Sequence, residues 1–425
     1  MSPPFSFRSW HKLDNTAHLF PVTANRKTPN VFRLTAILTQ PVDPALLQRA
    51  AVEVLPYFPA FNVRLRHGLF WNYLETNDTP VPVRPETQSP CRYLDPLETG
   101  RYLFRILYFK NRVHLETFHI LTDGTGALRF LKALCYRYWQ LARPELDDGR
   151  LYGLEGAGNL QDCYLKYTRP AEKSTYREPT AYHLHAPTRT AGDVGVVTLL
   201  MPASGLKELC RAQNATVGVY LTAALLAAAR EEYMSAGGSK KPMNAFVPVN
   251  LRRIFGGETS LNFFSGFTVS VPFGPGPADF SALLAETSRQ FAEKCTEAAF
   301  AEKLAYTSRG QLNPFARVLP LPVKNAALRA IYERSNHGAS FTFSNLGPVP
   351  VEAPFSGCFS GFRFLLSPGR GEPVKCSACT YGGTLALSFT GVLQENRLAR
   401  HMARFLAGQG LPVTVESNGD ADETM

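Results

Sequence analysis

Phe118 to Leu128 reads FHILTDGTGAL, and this stretch decides the fold. It follows a hairpin in which Tyr102 to Phe109 pairs with Val113 to His119 across the polar turn Lys110, Asn111 and Arg112. It precedes a helix from about Asp123 to Trp139, whose apolar stripe is Ala127, Leu128, Leu131, Leu134, Cys135 and Tyr138. His119 therefore ends a strand, where its imidazole can leave the sheet and face a channel. An unperturbed histidine titrates near 6.5, so the ring is mostly neutral at working pH and can accept a proton. Thr122 or Asp123 can cap the helix, and Gly124 lets the backbone turn without a side-chain clash.

The same βα theme extends in both directions. A strand at Val31 to Thr39 is followed by Asp43, a helix cap, and Pro44, which suits a first helical turn. Leu46, Leu47, Ala50, Val54 and Leu55 recur at helical spacing until Pro56 and Pro59 stop the helix. Asn62 to Arg66 and Phe70 to Glu75 form a second hairpin around His67 and Gly68. Thr168 to Gly195 lacks hydrophobic period and suits a linker. Beyond it come a strand at Val196 to Met201, helices near Ser204 to Gln213 and Val217 to Tyr233, and a strand at Ala245 to Val249. The organisation expected is a first subdomain over 1–168, a linker over 169–195, a second subdomain over 196–415, and a frayed tail over 416–425.

A chain of 425 residues exceeds the roughly 250 to 300 that one core sustains, so two units are expected. Its 45% hydrophobic and 19% charged residues fit an ordinary globular enzyme. The formal charge of +10 is scattered among 35 acidic residues, without a nucleic-acid motif, which argues against a nucleic-acid partner. It does favour a small anionic ligand such as a phosphorylated pantetheine. Eight dispersed cysteines suggest reduced thiols, and the first sixteen residues lack the pattern of a signal peptide. Val217 to Ala229 is too short to span a bilayer, so a cytoplasmic protein without a transmembrane segment is expected.

Other chemistries fall away. Strand alternation sends His114 and His119 to opposite faces, which weakens a metal cluster with Glu116. Cys376 and Cys379 form an isolated pair that reads as buried thiols, so no metal is expected. Gly124 and Gly126 lack the third glycine of a dinucleotide loop, and neither a Walker motif nor Gly-x-Ser-x-Gly occurs.

His119, Asp123 and Gly124 resemble the His-x-x-x-Asp-Gly signature of chloramphenicol acetyltransferase, condensation domains, wax ester synthases and alcohol acetyltransferases. The resemblance extends from about residue 10 to about 415. WHKLDNTAHLFPV, NVFRLTAIL, PVDPALLQRA, YFPAFNVRLRHGLFWNYLE and TFHILTDGTGALRFL look most like the bacterial alcohol acetyltransferase-like branch. In the second half FVPVNLRR, SLNFFSGFTVSVP and FTFSNLGPVPV are similar to that family's segments.

The resemblance implies an α/β (α+β) chain of two chloramphenicol-acetyltransferase-like subdomains, with mixed sheets, flanking helices and a central tunnel. It implies an acyltransferase that moves an acetyl or other acyl group from acyl-CoA to a small or lipid-like alcohol. His119 would be the general base, and no covalent intermediate or permanently bound cofactor would be needed. Asp123 would support the loop through an arginine, either Arg252 or Arg253. Ser344 and Asn345 could donate to the oxyanion or simply make a turn, and Asn262 and Phe263 could line the tunnel or serve the core. Phe118 stands where many condensation domains have a second histidine, which disfavours peptide-bond synthesis. The alternatives are an acyl carrier protein as donor with an amine acceptor, or a non-catalytic binding module. A monomer could complete the site.

Overall fold

The computed structural model describes residues 10–14, 17–168, 180–312, 319–335, 338–369 and 371–418. In the first half the elements are β1 (Trp10–Lys12), α1 (Phe20–Thr23), β2 (Val31–Leu38), α2 (Pro44–Val54), β3 (Val63–His67), β4 (Asn72–Thr76), β5 (Val83–Pro85), β6 (Phe104–Phe109), β7 (Arg112–Phe118), α3 (Gly124–Ala142) and α4 (Cys163–Tyr167). The second half contains β8 (Gly195–Pro202), α5 (Ala203–Ala212), α6 (Val217–Tyr233), β9 (Met243–Asn250), α7 (Arg252–Phe255), β10 (Phe264–Val271), α8 (Phe280–Lys294) and α9 (Glu297–Leu312). After these come α10 (Leu321–Ser335), β11 (Phe341–Pro348), β12 (Phe359–Leu366), β13 (Val374–Tyr381), β14 (Thr384–Gly391), α11 (Arg397–Gly408) and β15 (Thr414–Ser417).

Local chemistry accounts for the helix starts. Asp43 accepts from the backbone N–H groups of Ala45 and Leu46, and Pro44 occupies the first turn, where its missing N–H costs nothing. Asp123 caps α3 in the same way through Thr125 and Gly126. The helix Val217–Tyr233 lies in the second core, with twelve buried positions. Among the described residues no single helix is long and apolar enough to cross a membrane.

Among the described residues three sheets form: β1-β4-β3, the five-stranded β12-β2-β7-β6-β5 and the seven-stranded β10-β9-β11-β13-β14-β8-β15. Each large sheet has its own core. The first gathers α2 and α3 residues such as Leu47, Phe130 and Leu134 with Phe61 and Phe104. The second gathers Leu221, Leu225, Leu387, Phe341 and Met402. The chain thus has the two-subdomain, mixed α/β architecture that its sequence led us to expect. The linker residues from 180 onward run along the second unit, where Tyr182 donates through its N–H to the Pro242 carbonyl and Arg189 donates to that of Val392; residues 169–179 lie outside those described. Glu416 and Ser417, expected to fray, are held in β15 against β8, and Glu416 pairs with Arg363. The rest of the tail from 419 lies outside the described residues.

One strand crosses between the halves. β12 belongs to the C-terminal half by sequence, yet pairs antiparallel with β2 and completes the first sheet. The other edge of β12 meets side chains of the second sheet. The carbonyl of Phe364 accepts from Ser377 Oγ, that of Leu366 from Thr390 Oγ1 at 2.5 Å, and that of Phe362 from Cys379 Sγ at 3.4 Å. An edge that would otherwise invite pairing with another chain is thereby closed.

The donors on the second sheet follow from strand alternation. Val374, Cys376 and Ala378 of β13 turn to the helices of the second core, whereas Lys375, Ser377 and Cys379 turn toward β12. In β14, Leu385, Leu387 and Phe389 face the helices and Ser388 and Thr390 the other side, where Ser388 meets Thr198 of β8 at 2.9 Å. The second sheet therefore has one apolar face and one largely polar face, and the polar face is turned toward the first subdomain. The same alternation separates Cys376 from Cys379.

Candidate active site

β7 ends at Phe118, and the next residue, His119, donates its backbone N–H to the Asn30 carbonyl at 3.0 Å. Leu121 N–H returns to the Phe118 carbonyl at 3.0 Å, closing a turn that delivers the chain to the Asp123 cap. Asp123 is saturated with donors. Its Oδ1 accepts from Thr125 N at 3.1 Å and Gly126 N at 3.2 Å, while Oδ2 accepts from Arg252 Nη1 at 2.7 Å and Phe263 N at 2.9 Å. Arg252 is the partner and Arg253 is exposed. The Arg252 guanidinium also donates to the carbonyls of Thr259 and Leu261, which ties the 259–263 loop to the start of α3. Burial pushes the Asp123 carboxyl up, but Arg252 and the Phe263 N–H outweigh it and hold the group below the usual aspartate value.

Gly124 has a different reason from the one expected. It takes an ordinary helical conformation at the first position of α3, so the turn itself needs no glycine there. A Cβ at Gly124 would stand 3.2 Å from Leu346 Cδ1, so the constraint is close packing against the strand carrying Ser344. Gly126 is tighter. A Cβ there would fall 2.0 Å from Thr122 Oγ1 and 2.8 Å from the Ser260 carbonyl, atoms already joined by a 2.6 Å hydrogen bond.

The His119 ring is half-buried among three aromatic side chains. Phe20 of α1 stacks on it at 4.9 Å between centroids and 18° between planes, Phe32 of β2 meets it edge-on at 5.1 Å, and Phe264 of β10 lies tilted at 4.9 Å. Asn262 approaches Nδ1, with its Oδ1 at 3.1 Å. The orientation of this amide is fixed by chemistry: its Nδ2 lies 3.0 Å from the His119 carbonyl, which can only accept. Oδ1 therefore faces the ring as an acceptor, Nδ1 carries the proton, and the lone pair is on Nε2. Burial is the largest influence on the ring and pulls its pKa below 6.5. Asp123 and hydrogen bonds to the residue's own backbone and to Asn262 oppose the shift without reversing it.

The other sequence candidates separate. Asn262 is fully buried and serves the imidazole, not a passage. Phe263 packs in the second core between Tyr164 and Tyr167, and only its backbone reaches Asp123; its neighbour Phe264, on the opposite strand face, is the one that meets His119. Ser344 is half-buried, whereas Asn345 is exposed and its Oδ1 accepts from the Gly347 N–H at 2.9 Å, a local turn. His114 lies elsewhere, bonded to Thr35 Oγ1 at 2.9 Å and set in a buried network of Arg33, Glu86 and Glu116. Sequence reasoning missed Asp14, Phe20, Phe32 and Lys375. Lys375 is paired with Glu372 at 3.3 Å and near enough to His119 for its charge to disfavour the protonated ring. Aromatic spacing carries no signal for Phe20, since its contact with His119 is made only in the folded chain. A surface cleft of about 450 Å³ lined by Lys207, Arg211, Tyr381 and Gly383 shares no residue with this constellation.

No family model matches the chain, and no curated protein matches it. Solved structures do. Polyketide synthase associated protein 5 from Mycobacterium tuberculosis superposes with a TM-score of 0.61 at 16% identity, over 93% of this chain and 96% of that one. The starter condensation domain of rhizomide synthetase, solved in complex with C8-CoA and Leu-SNAC, gives 0.59 at 14% identity, over 94% and 93%. TRI101 of F. sporotrichioides, complexed with Coenzyme A and T-2, gives 0.65 at 10% identity, over 98% and 100%. Agreement over nearly the whole length of each partner fixes the shared fold.

Proposed function

We propose that this chain, which has the condensation-domain fold, transfers an acyl group from a CoA thioester to an alcohol hydroxyl, with His119 as the general base. The observation that carries the reading is the imidazole itself: neutral by burial, held at Nδ1 by Asn262, and left with a free lone pair at Nε2. That structures of the same fold were solved with Coenzyme A or C8-CoA supports a thioester donor.

In the proposed reaction Nε2 takes the proton of the acceptor hydroxyl as its oxygen attacks the thioester carbonyl carbon. The tetrahedral oxyanion then collapses, the carbon–sulfur bond breaks, and the imidazolium returns its proton to the departing thiolate. Neither acyl-enzyme nor resident cofactor is required. Asp123, Arg252 and the backbone of Gly124 and Gly126 hold the base from behind. Ser344, half-buried on the strand that touches Gly124, is our candidate donor to the oxyanion, in preference to Asn345, whose side chain is exposed and held in its own turn. Donor and acceptor would enter a passage between the two sheets, on the side of His119 where Lys375 lies. The partly exposed rings of Phe20 and Phe264 beside the imidazole suit an acceptor with apolar surface. The positive charge of the chain favours capture of a phosphate-bearing donor.

The test is thiol release from acetyl-CoA with a panel of alcohols, for the native protein and for His119→Ala. The variant should lose about 100-fold or more in kcat/KM. Equal rates for the two proteins would remove His119 as the base.

A further inference from the structure

Behind Asn262 stands a carboxylate that the proposed reaction has not used. Asp14, just after β1, is 3% exposed. Its Oδ1 accepts from the Ala17 N–H at 2.8 Å, and its Oδ2 lies 3.0 Å from Nδ2 of Asn262. The amide of Asn262 is thus gripped at both ends. Nδ2 donates to Asp14 Oδ2 and to the His119 carbonyl at 3.0 Å, while Oδ1 is turned to Nδ1 of the imidazole at 3.1 Å.

We propose that Asp14 is a positioning residue for the base: by accepting from Asn262 it orients the amide that keeps the His119 proton on Nδ1 and leaves Nε2 open to the substrate. The inference rests on the reading of His119 as the base. The alternative orientation of Asn262 would point Nδ2 at the ring. Nδ1 would then have to accept, the proton would move to Nε2, and the lone pair would be lost to the substrate. The same flip would turn Oδ1 toward two acceptors, the His119 carbonyl and, above about pH 7 where it is ionised, the Asp14 carboxylate. Two acceptors disfavour the flip together, and Asp14 supplies one of them from a segment that also leads into α1, the helix whose Phe20 stacks on the imidazole. The proton site of the base and the aromatic ring beside it are therefore set by Asp14 and Phe20, close together in the sequence.

Asp14→Asn is the discriminating variant. An asparagine offers one acceptor oxygen where the native side chain uses two, so it cannot accept from Ala17 N and from Asn262 through separate oxygens. If its oxygen stays with Ala17, its Nδ2 faces Asn262 and favours the flipped amide. Protein labelled with 15N-histidine reports the outcome directly, because protonated and unprotonated ring nitrogens resonate far apart; the His119 signals are those missing from His119→Ala. The native protein should show His119 protonated on Nδ1, and Asp14→Asn should move the population toward Nε2. The kcat for acyl transfer should fall by about 10-fold or more, with the KM for the acyl donor little changed.

The double variant Asp14→Asn/Asn262→Asp exchanges the two groups. Its new carboxylate accepts from Nδ1–H and from the new amide, at the loss of the bond to the His119 carbonyl, so it should restore the Nδ1 proton and part of the rate. A residue that merely filled space would not be rescued this way. An unchanged Nδ1–H form in Asp14→Asn overturns the proposal. If that variant does not fold, a folded double variant with its proton on Nε2 overturns it instead. A tautomer shift in Asp14→Asn, with a native protein that releases no thiol from acetyl-CoA with any alcohol, would leave the Asp14 linkage standing and remove the transferase reading.

Discussion

Asp123 is buried with four donors around it, and Arg252 is its charged partner, each side chain about 8% exposed. Removing the carboxylate leaves a guanidinium without its counter-ion in a desolvated site, so Asp123→Ala should cost about 3–5 kcal/mol in a urea unfolding experiment. Arg252→Lys should recover little of an Arg252→Ala defect, because one ammonium cannot replace a fork reaching Asp123, Thr259 and Leu261 together. Asp14 behaves oppositely with pH. Burial, with Asp162 adding repulsion, raises its carboxyl from 3.8 to about 7 against the hydrogen bonds from Asn262 and Ala17. Between these values the folded chain binds a proton that the unfolded chain has released, so this residue's contribution falls as pH rises from about 4 to about 7. Subtracting the unfolding free energy of Asp14→Asn from that of the native protein across this window should expose a decline of up to about 4 kcal/mol. A flat difference would place the titration of Asp14 elsewhere. His119, Asp123 and Arg252 could be nominated from sequence because two of them lie in one short motif and the third in FVPVNLRR, which resembles a segment of the same family. Asp14 could not: its bond to Asn262 joins residues 248 apart, and a lone Asp before a loop reads as any helix cap.

At the scale of α3, the decisive residue is the second glycine of the loop. Gly126→Ala would drive a methyl into Thr122 Oγ1 and the Ser260 carbonyl, backbone and buried side chain that cannot easily move. The expected destabilisation is about 3 kcal/mol. Gly124→Ala meets the flexible end of Leu346 and gains helix propensity, so its effect should stay within about 1 kcal/mol. The two urea midpoints, measured side by side, check the ordering. The element boundaries were largely legible, since α2, α3 and α6 announce themselves by period and caps. The reason for Gly124 was not, because it depends on a side chain more than two hundred positions away. Nor was the difference between Phe263 and Phe264, where one step along the chain exchanges a core ring for one that meets His119.

Across the whole molecule the two cores were readable from chain length and the repeated βα order, but the exchange of β12 was not. An alternating strand looks the same whichever sheet receives it, and only pairing with β2 reveals the host. This exchange makes the halves interdependent. A fragment covering 1–168 would keep α2, α3 and the His119 loop yet leave β2, buried at every position, as a bare edge. It should be recovered aggregated, whereas the full chain should unfold in urea in one transition when followed both by tryptophan fluorescence and by circular dichroism. A soluble monomeric fragment, or two separated transitions, would show that β12 is dispensable to the first unit.

The late arrival of that strand also matters during synthesis. About 240 residues separate Phe118 from Phe359, which at ribosomal speeds of about 5–20 residues per second is roughly 12 to 50 s. Throughout that interval the nascent chain carries a nearly finished sheet with an open hydrogen-bonding rim, the kind of exposed edge at which growing chains associate.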